Sequence, residues 1–271
     1  MSFVKRKNWG RVKPPAGATL NWSDPINEGL YVCHLFTGVG ALGQGGVTSK
    51  DLAGPNFLNT GGFTAGSTTS SGWNAGLFGP TLTFDGTDDR ITFGTPGDAN
   101  FNKVSGFQAV SIWFKTTSGI SQTLVSKGGG GAITTGGWYL NFNASSQLQL
   151  TYKRADATSV QNWASSTTYA DGRWHHVVCS FCLDTVTQAN DAATMYVDGV
   201  EISLTRTDIG LPVLLSGAFP KIACREGPVG TNSLFWHGQL DNFRFYIRAL
   251  SDGEANRLFN EPFAGILPPR S

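Results

Sequence analysis

Short runs rich in β-branched and aromatic residues recur along this chain, without helical periodicity, and end at glycine and aspartate. Such runs between turn signals predict strands. The clearest case runs from Asp171-Gly172 through Arg173-Trp174-His175-His176-Val177-Val178 and resumes at Met195-Tyr196-Val197 before Asp198-Gly199. In each Asp-Gly pair the glycine takes positive φ without a Cβ clash and the aspartate bonds its own backbone, so each pair marks a strand end. Trp174, Val177, Val178, Phe181, Met195, Tyr196 and Val197 between them suit a pleated surface packed on a second sheet. Further strands are predicted at Ala109–Lys115, Leu124–Gly128, Gly137–Phe142 and Gly238–Tyr246, with Leu30, Val32, Leu35 and Phe36 as the first strand. Residues 37–79, dominated by Gly, Ser, Thr and Asn, read as a long loop with short strand pieces. Near the C-terminus Ser251-Asp252-Gly253-Glu254 fits a capping box, predicting a short helix through Phe259.

These segments resemble the laminin-G-like, concanavalin A-like jelly rolls in the order that family has them. Phe84-Asp85-Gly86-Thr87-Asp88-Asp89 resembles its early hairpin, and Ile112-Trp113-Phe114-Lys115 a strand that follows. Trp174-His175-His176-Val177 with Tyr196-Val197-Asp198-Gly199 is similar to its central pair, and Gly238-Gln239-Leu240-Asp241-Asn242-Phe243 to its closing strand. The resemblance covers about residues 77 to 263. It implies an all-β, two-sheet antiparallel jelly-roll sandwich with a short C-terminal helix. The expected organisation is an extended basic N-terminal arm over residues 1–25, one jelly-roll domain over 26–263 and a tail over 264–271.

Composition agrees. Thirty-five glycines, 12% aromatic and only 14% charged residues among 271 describe a turn-rich sheet protein with an ample core. No apolar run is long enough to span a membrane, and the basic N-terminus lacks the apolar stretch of a signal peptide. Cys179 and Cys182 lie three apart on a predicted strand, where they face opposite ways and cannot share a metal ion. Cys33 with Cys224 is geometrically open as a pair, but buried free thiols are expected for all four. Charge is segregated. The chain is +1 overall, yet Lys5, Arg6, Lys7, Arg11 and Lys13 precede the first acidic residue, Asp24, and without these five the remainder is about −4. This arm, with Trp9 and then Pro14-Pro15, reads as a partner-binding strap. Five cations would bind nucleic acid only weakly and without sequence preference, and an acidic protein surface serves equally well. The arm followed by a jelly roll is similar to laminin-G-like proteins encoded by tailed bacteriophages.

Catalytic signals are missing. Glucanases of this fold use carboxylates at alternate positions on one strand face, whereas the five glutamates here are scattered. His175 and His176 are adjacent on a strand, so at most one can enter any site. Calcium is not supported either. The loop 127–138 has no acidic residue, the loop 224–235 offers only Glu226, and Asp85, Asp88 and Asp89 read as a turn satisfying its own backbone. For glycan binding the candidates are Trp138, Trp163, Arg225 and Trp236. The resemblance therefore implies a non-catalytic virion protein without cofactor, such as a head-decoration component made in the host cytoplasm. Its arm would attach it to neighbouring coat subunits in an oligomeric assembly. The alternative is a lectin-like module for host or environmental glycans, in a tail fibre or adhesin, and a glycosidase comes last.

Overall fold

The computed structural model describes residues 10–15, 17–37, 46–54, 57–63, 71–95, 98–101, 106–128, 137–153, 160–182, 192–209, 219–226 and 231–269. Two antiparallel sheets face each other. One has nine strands, in the order Leu204–Ile209, Val160–Thr168, Gln147–Lys153, Gly137–Phe142, Gln122–Gly128, Pro220–Ile222, Arg90–Thr92, Phe57–Gly61 and Gly46–Lys50. The other has eight. Seven follow in the order Val200–Ile202, Ala192–Val197, His175–Cys182, Phe107–Lys115, His237–Tyr246, Pro80–Asp85 and Gly72–Ala75, and Leu30–His34 also pairs with His237–Tyr246. The jelly-roll expectation holds, and the strand pieces of the 37–79 segment form the edges of both sheets.

The main core lies between the sheets. Val125, Trp138, Leu140, Phe142, Leu150 and Trp163 from the nine-stranded sheet meet Val110, Ile112, Phe114, Val177, Phe181 and Phe245 from the other. Each large apolar side chain buried there contributes about 1.5–3 kcal/mol.

A second apolar layer covers the outer face of the eight-stranded sheet. Cys33, Ala109, Trp113, Val178, Tyr196 and Tyr246 point outward onto Ala18, Leu20 and Ile26 from the N-terminal segment. Leu258, Phe263 and Ile266, from the helix and the tail after it, complete the layer. Residues 17–25 of the expected arm therefore belong to the domain, and Thr19–Leu20 pairs with Ile266–Leu267. The helix runs Asp252–Asn260, with the Ser251 backbone N–H donating to Glu254 Oε2 at 2.9 Å, as the capping box predicts. Arg257 clamps this layer through Asp24, donating to both carboxylate oxygens at 2.6 and 2.8 Å. Such a bidentate pair fixes geometry as well as charge.

All four cysteines are free and buried. Burial pushes the Cys33 thiol up to about 11 and Cys224 up to about 12. His175 and His176 face opposite ways, as strand alternation requires. His176 is buried against Trp113, with Nε2 2.9 Å from Ser111 Oγ. His175 bridges Asp198 Oδ2 at 2.7 Å and Asp171 Oδ1 at 3.1 Å, so one imidazole ties together the two Asp-Gly turns.

Candidate functional site

With both faces of the eight-stranded sheet covered, the outer face of the nine-stranded sheet is the face that no described helix or tail overlays. Its register places one polar row across seven strands. Thr92 pairs with Lys221, Lys221 with Ser126, Ser126 with Tyr139, Tyr139 with Thr151, Thr151 with Asn162 and Asn162 with Thr207. The neighbouring row, Ile91, Ile222, Val125, Leu140, Leu150 and Trp163, points into the core. Polar and apolar rows alternate because successive strand residues face opposite sides.

The polar row is hydrogen-bonded laterally. Thr151 Oγ1 donates its single proton to Asn162 Oδ1 at 2.9 Å and lies 3.3 Å from Asn141 Oδ1, and Asn141 belongs to the next outward row with Gln149. Beside the row, the short hairpin of Arg225–Glu226 and Asn232–Ser233 brings in Arg225. Its guanidinium lies over the Tyr139 ring at 4.9 Å, and Nη1 donates to Tyr139 Oη at 2.9 Å. Nε donates to Ser233 Oγ at 3.3 Å. Lys221 Nζ donates to Asn232 Oδ1 at 2.8 Å and lies 3.9 Å from Glu226. Ser126, Thr151, Asn141, Tyr139 and Lys221 are buried, at 0%, 2%, 5%, 8% and 9% exposure, and Ser126 Oγ donates to Cys224 O at 2.8 Å, so the arrangement offers solvent the half-buried Thr92, Asn162 and Arg225 and the exposed Thr207. It can hydrogen-bond a long polar ligand, and no carboxylate stands in the row for acid–base chemistry.

The expected tryptophan platforms are not there. Trp138, Trp163 and Trp236 are 2%, 4% and 0% exposed, which corrects their assignment as ligand-facing rings. Their apolar area is better satisfied between the sheets. Trp138 donates Nε1–H to Phe101 O at 2.9 Å, Trp236 packs on Phe114 and Phe142, and Arg206 lies over the Trp163 ring at 5.3 Å. Of the four candidates Arg225 alone reaches the row. Tyr139, Asn141, Thr151 and Asn162 were missed, although the alternation in Trp138-Tyr139-Leu140-Asn141-Phe142 and Leu148-Gln149-Leu150-Thr151-Tyr152 carries the signal. The exposed Trp22 was also missed. It borders a cleft of about 510 Å3 with Thr19, Asp51 and Leu267, but Asp51 Oδ1 there already accepts the N–H groups of Cys33 and Ala53.

Of the arm residues, Lys5, Arg6, Lys7 and Trp9 lie outside the described residues. Arg11 and Lys13 are turned onto their own domain, which corrects their place in a surface for partners. Lys13 Nζ donates to Asp241 Oδ1 at 2.7 Å, to Phe36 O at 2.9 Å and to Pro80 O. Both side chains of this ion pair are almost wholly buried. Burial lowers the Lys13 pKa and, against the pull of Lys13, lifts Asp241 to about 7. Arg11 lies over the rings of Phe259 and Trp113 at 5.6 and 6.0 Å.

The acidic turn behaves largely as expected. Asp85 Oδ1 accepts from Thr87 N at 2.7 Å and Asp89 Oδ2 from Asp85 N at 2.9 Å. The carboxylates of Asp85, Asp88 and Asp89 converge within 4.8 Å, and burial lifts Asp89 to about 6.

The sequence model of the concanavalin A-like lectin/glucanases superfamily matches residues 85–256. No curated protein matches the chain. Among solved structures it is similar to the binding domain of Paraclostridial Mosquitocidal Protein 1, with a TM-score of 0.55 and 18% identity over 88% of this chain and 53% of that one. The receptor binding domain of botulinum neurotoxin C/D mosaic serotype gives 0.55 and 12% identity over 88% and 52%. Domain 4 of AbnA, a GH43 extracellular arabinanase from Geobacillus stearothermophilus in complex with arabinotriose, gives 0.50 and 17% over 84% and 97%. The chain spans about half the length of the two toxin domains, and these likenesses show the fold.

Proposed function

Since the chain belongs to the concanavalin A-like lectin/glucanases superfamily, we propose that it is a non-catalytic glycan-binding module that uses the outer face of its nine-stranded sheet. The observation that carries this reading is the solvent-reaching part of the polar row, Asn162 and Thr207 at one end and Thr92 at the other, with the half-buried Arg225 beside Tyr139 between them. Sugars present hydroxyls at regular intervals and an apolar ring face, and such a ligand is recognised by spaced hydroxyls and amides beside an aromatic ring. The arabinotriose complex of the similar arabinanase domain supports the same class of ligand. Retaining and inverting glycosidases both need two carboxyl groups flanking the bond, and the row offers none.

Attachment to a virion through the arm is the second reading. It rests on Lys5, Arg6 and Lys7, because Arg11 and Lys13 are occupied by Phe259, Trp113 and Asp241. The basic composition of those residues supports it.

The test is a glycan array with the full chain, followed by titration of any hit against Asn162→Ala, which removes a half-buried amide of the row. Losing one or two hydrogen bonds to the ligand weakens binding about three- to thirtyfold. Binding that leaves Asn162→Ala untouched would move the site off this part of the face, and an array without hits would end the glycan reading.

A further inference from the structure

We infer that the ligand of this face is an acidic sugar whose carboxylate or sulfate is held by Arg225, an inference that rests on the glycan reading above. Every partner of the guanidinium is neutral. Nη1 serves Tyr139 Oη at 2.9 Å, Nε serves Ser233 Oγ at 3.3 Å, and the plane rests on the Tyr139 ring at 4.9 Å. Among the described residues Nη2 has no acceptor and the guanidinium meets no carboxylate. The acid nearest in sequence, Glu226, is turned to Lys221 at 3.9 Å. The cluster of Lys221, Arg225 and Glu226 thus keeps one positive charge unanswered.

That charge is also preorganised. Two hydrogen bonds and a stacked ring fix the side chain before any ligand arrives, so little rotamer freedom is lost on binding. An arginine edge fixed in this way matches the two oxygens of a carboxylate or sulfate. It stands half-buried over Tyr139 beside the row, so an acidic residue of a sugar chain that reaches Arg225 from the solvent side would place its charge there. A neutral sugar leaves this charge to water and gains nothing from it.

The experiment uses the full chain and matched oligosaccharides that share one backbone in neutral, uronate and sulfated forms, with Kd measured by calorimetry at low and moderate salt. The wild type is expected to prefer an acidic form by about ten- to hundredfold, the range for a hydrogen bond to a charged group. The preference should shrink as salt rises. Arg225→Met should erase it while leaving weak binding of the neutral form, and Arg225→Lys should restore it only in part because the fork is lost. Unfolding midpoints of both variants report that they are folded. Preference for uronate over sulfate, or the reverse, identifies the group. Equal affinity for neutral and acidic forms, or an unchanged preference in Arg225→Met, overturns the inference and leaves the glycan reading standing. Failure of every form to bind overturns both.

Discussion

Replacing Lys13 with alanine tests how the N-terminal segment is held. The ammonium is the only cation within reach of Asp241 among the described residues, and it also serves the carbonyls of Phe36 and Pro80. Without it, Asp241 keeps the Asn242 N–H at 2.8 Å, but its charge stays buried with no counterion. Removing one partner of a buried ion pair costs about 3–5 kcal/mol. At about 2–4 °C per kcal/mol for a chain of this size, the melting temperature should fall by roughly 6–20 °C.

The deficit has a pH signature. An aspartate whose pKa in the fold is raised above its unfolded value holds its proton more tightly when folded. Its destabilising effect is therefore complete above about pH 7 and fades as pH falls toward 4. Loss of Lys13 lifts that pKa further, so Lys13→Ala should be weakest at pH 8 and recover at pH 5. The double variant with Asp241→Asn removes the orphaned charge and should regain most of the loss. Urea unfolding followed by tryptophan fluorescence at pH 5 and 8 measures all three. A Lys13→Ala variant within about 0.5 kcal/mol of wild type at pH 8, the size of an ordinary surface substitution, would refute the buried pair as the fastening of the segment.

The paired histidines should act in opposite directions. Burial pushes His176 down to about 3, so the unfolded chain takes a proton near pH 6.5 that the fold refuses, and stability falls as pH drops from 6.5 toward 3. His176→Phe should flatten that slope in urea midpoints. Burial opposes protonation of His175, but Asp198 and Asp171 outweigh it and raise its pKa. Its contribution is therefore full below pH 6.5 and lost as pH rises through the elevated pKa, which NMR titration of the ring can follow. Gly62 has φ +88°, and a Cβ there would lie 2.1 Å from the Asp88 carbonyl oxygen; Gly62→Ala should cost about 2–4 kcal/mol. At Gly253, in the helix with nothing within 4 Å, alanine should instead stabilise by about 0.5–1 kcal/mol, and urea midpoints separate the two. All four thiols should resist a water-soluble disulfide reagent in the folded protein and react together once it unfolds.

What could be read from the sequence was local. The Asp-Gly turns, the capping box at Ser251 and the opposite facing of His175 and His176 all follow from interactions within a few residues. The site was harder because residue type does not fix the face on which a side chain lies. Tryptophan suits a sugar platform and a core equally, and only its phase with Leu140 and Phe142 marks Trp138 as internal. Lys13 and Asp241 lie 228 positions apart, so no local pattern could join them. The polar row needs the register of seven strands, and a bulge between Leu140 and Asn141 shifts that register. A one-residue slip would send a strand's polar positions to the core.

The two sheets divide the labour, and this bears on where a ligand can sit. The eight-stranded sheet spends its outer face on the N-terminal segment, the helix and the tail, held by Arg257–Asp24 and Lys13–Asp241. A ligand there would have to displace an apolar layer and break buried ion pairs. The outward positions of the nine-stranded sheet are polar, and the buried ones find partners in the protein, Ser126 at Cys224 O, Thr151 at Asn162, Tyr139 at Arg225 and Lys221 at Asn232, as buried polar groups require. The part-exposed Arg225 and Asn162 stay open to a sugar, which brings hydroxyls of its own. The same argument explains why the tryptophans are inside. A ring turned outward at Trp138 or Trp163 would leave a void between the sheets, and truncating a packed aromatic residue costs about 3–5 kcal/mol. Trp138→Ala should therefore fail as a probe of binding, since it would lower the unfolding midpoint before it changed affinity. Asn162→Ala and Arg225→Met alter the outer face and leave the core between the sheets intact.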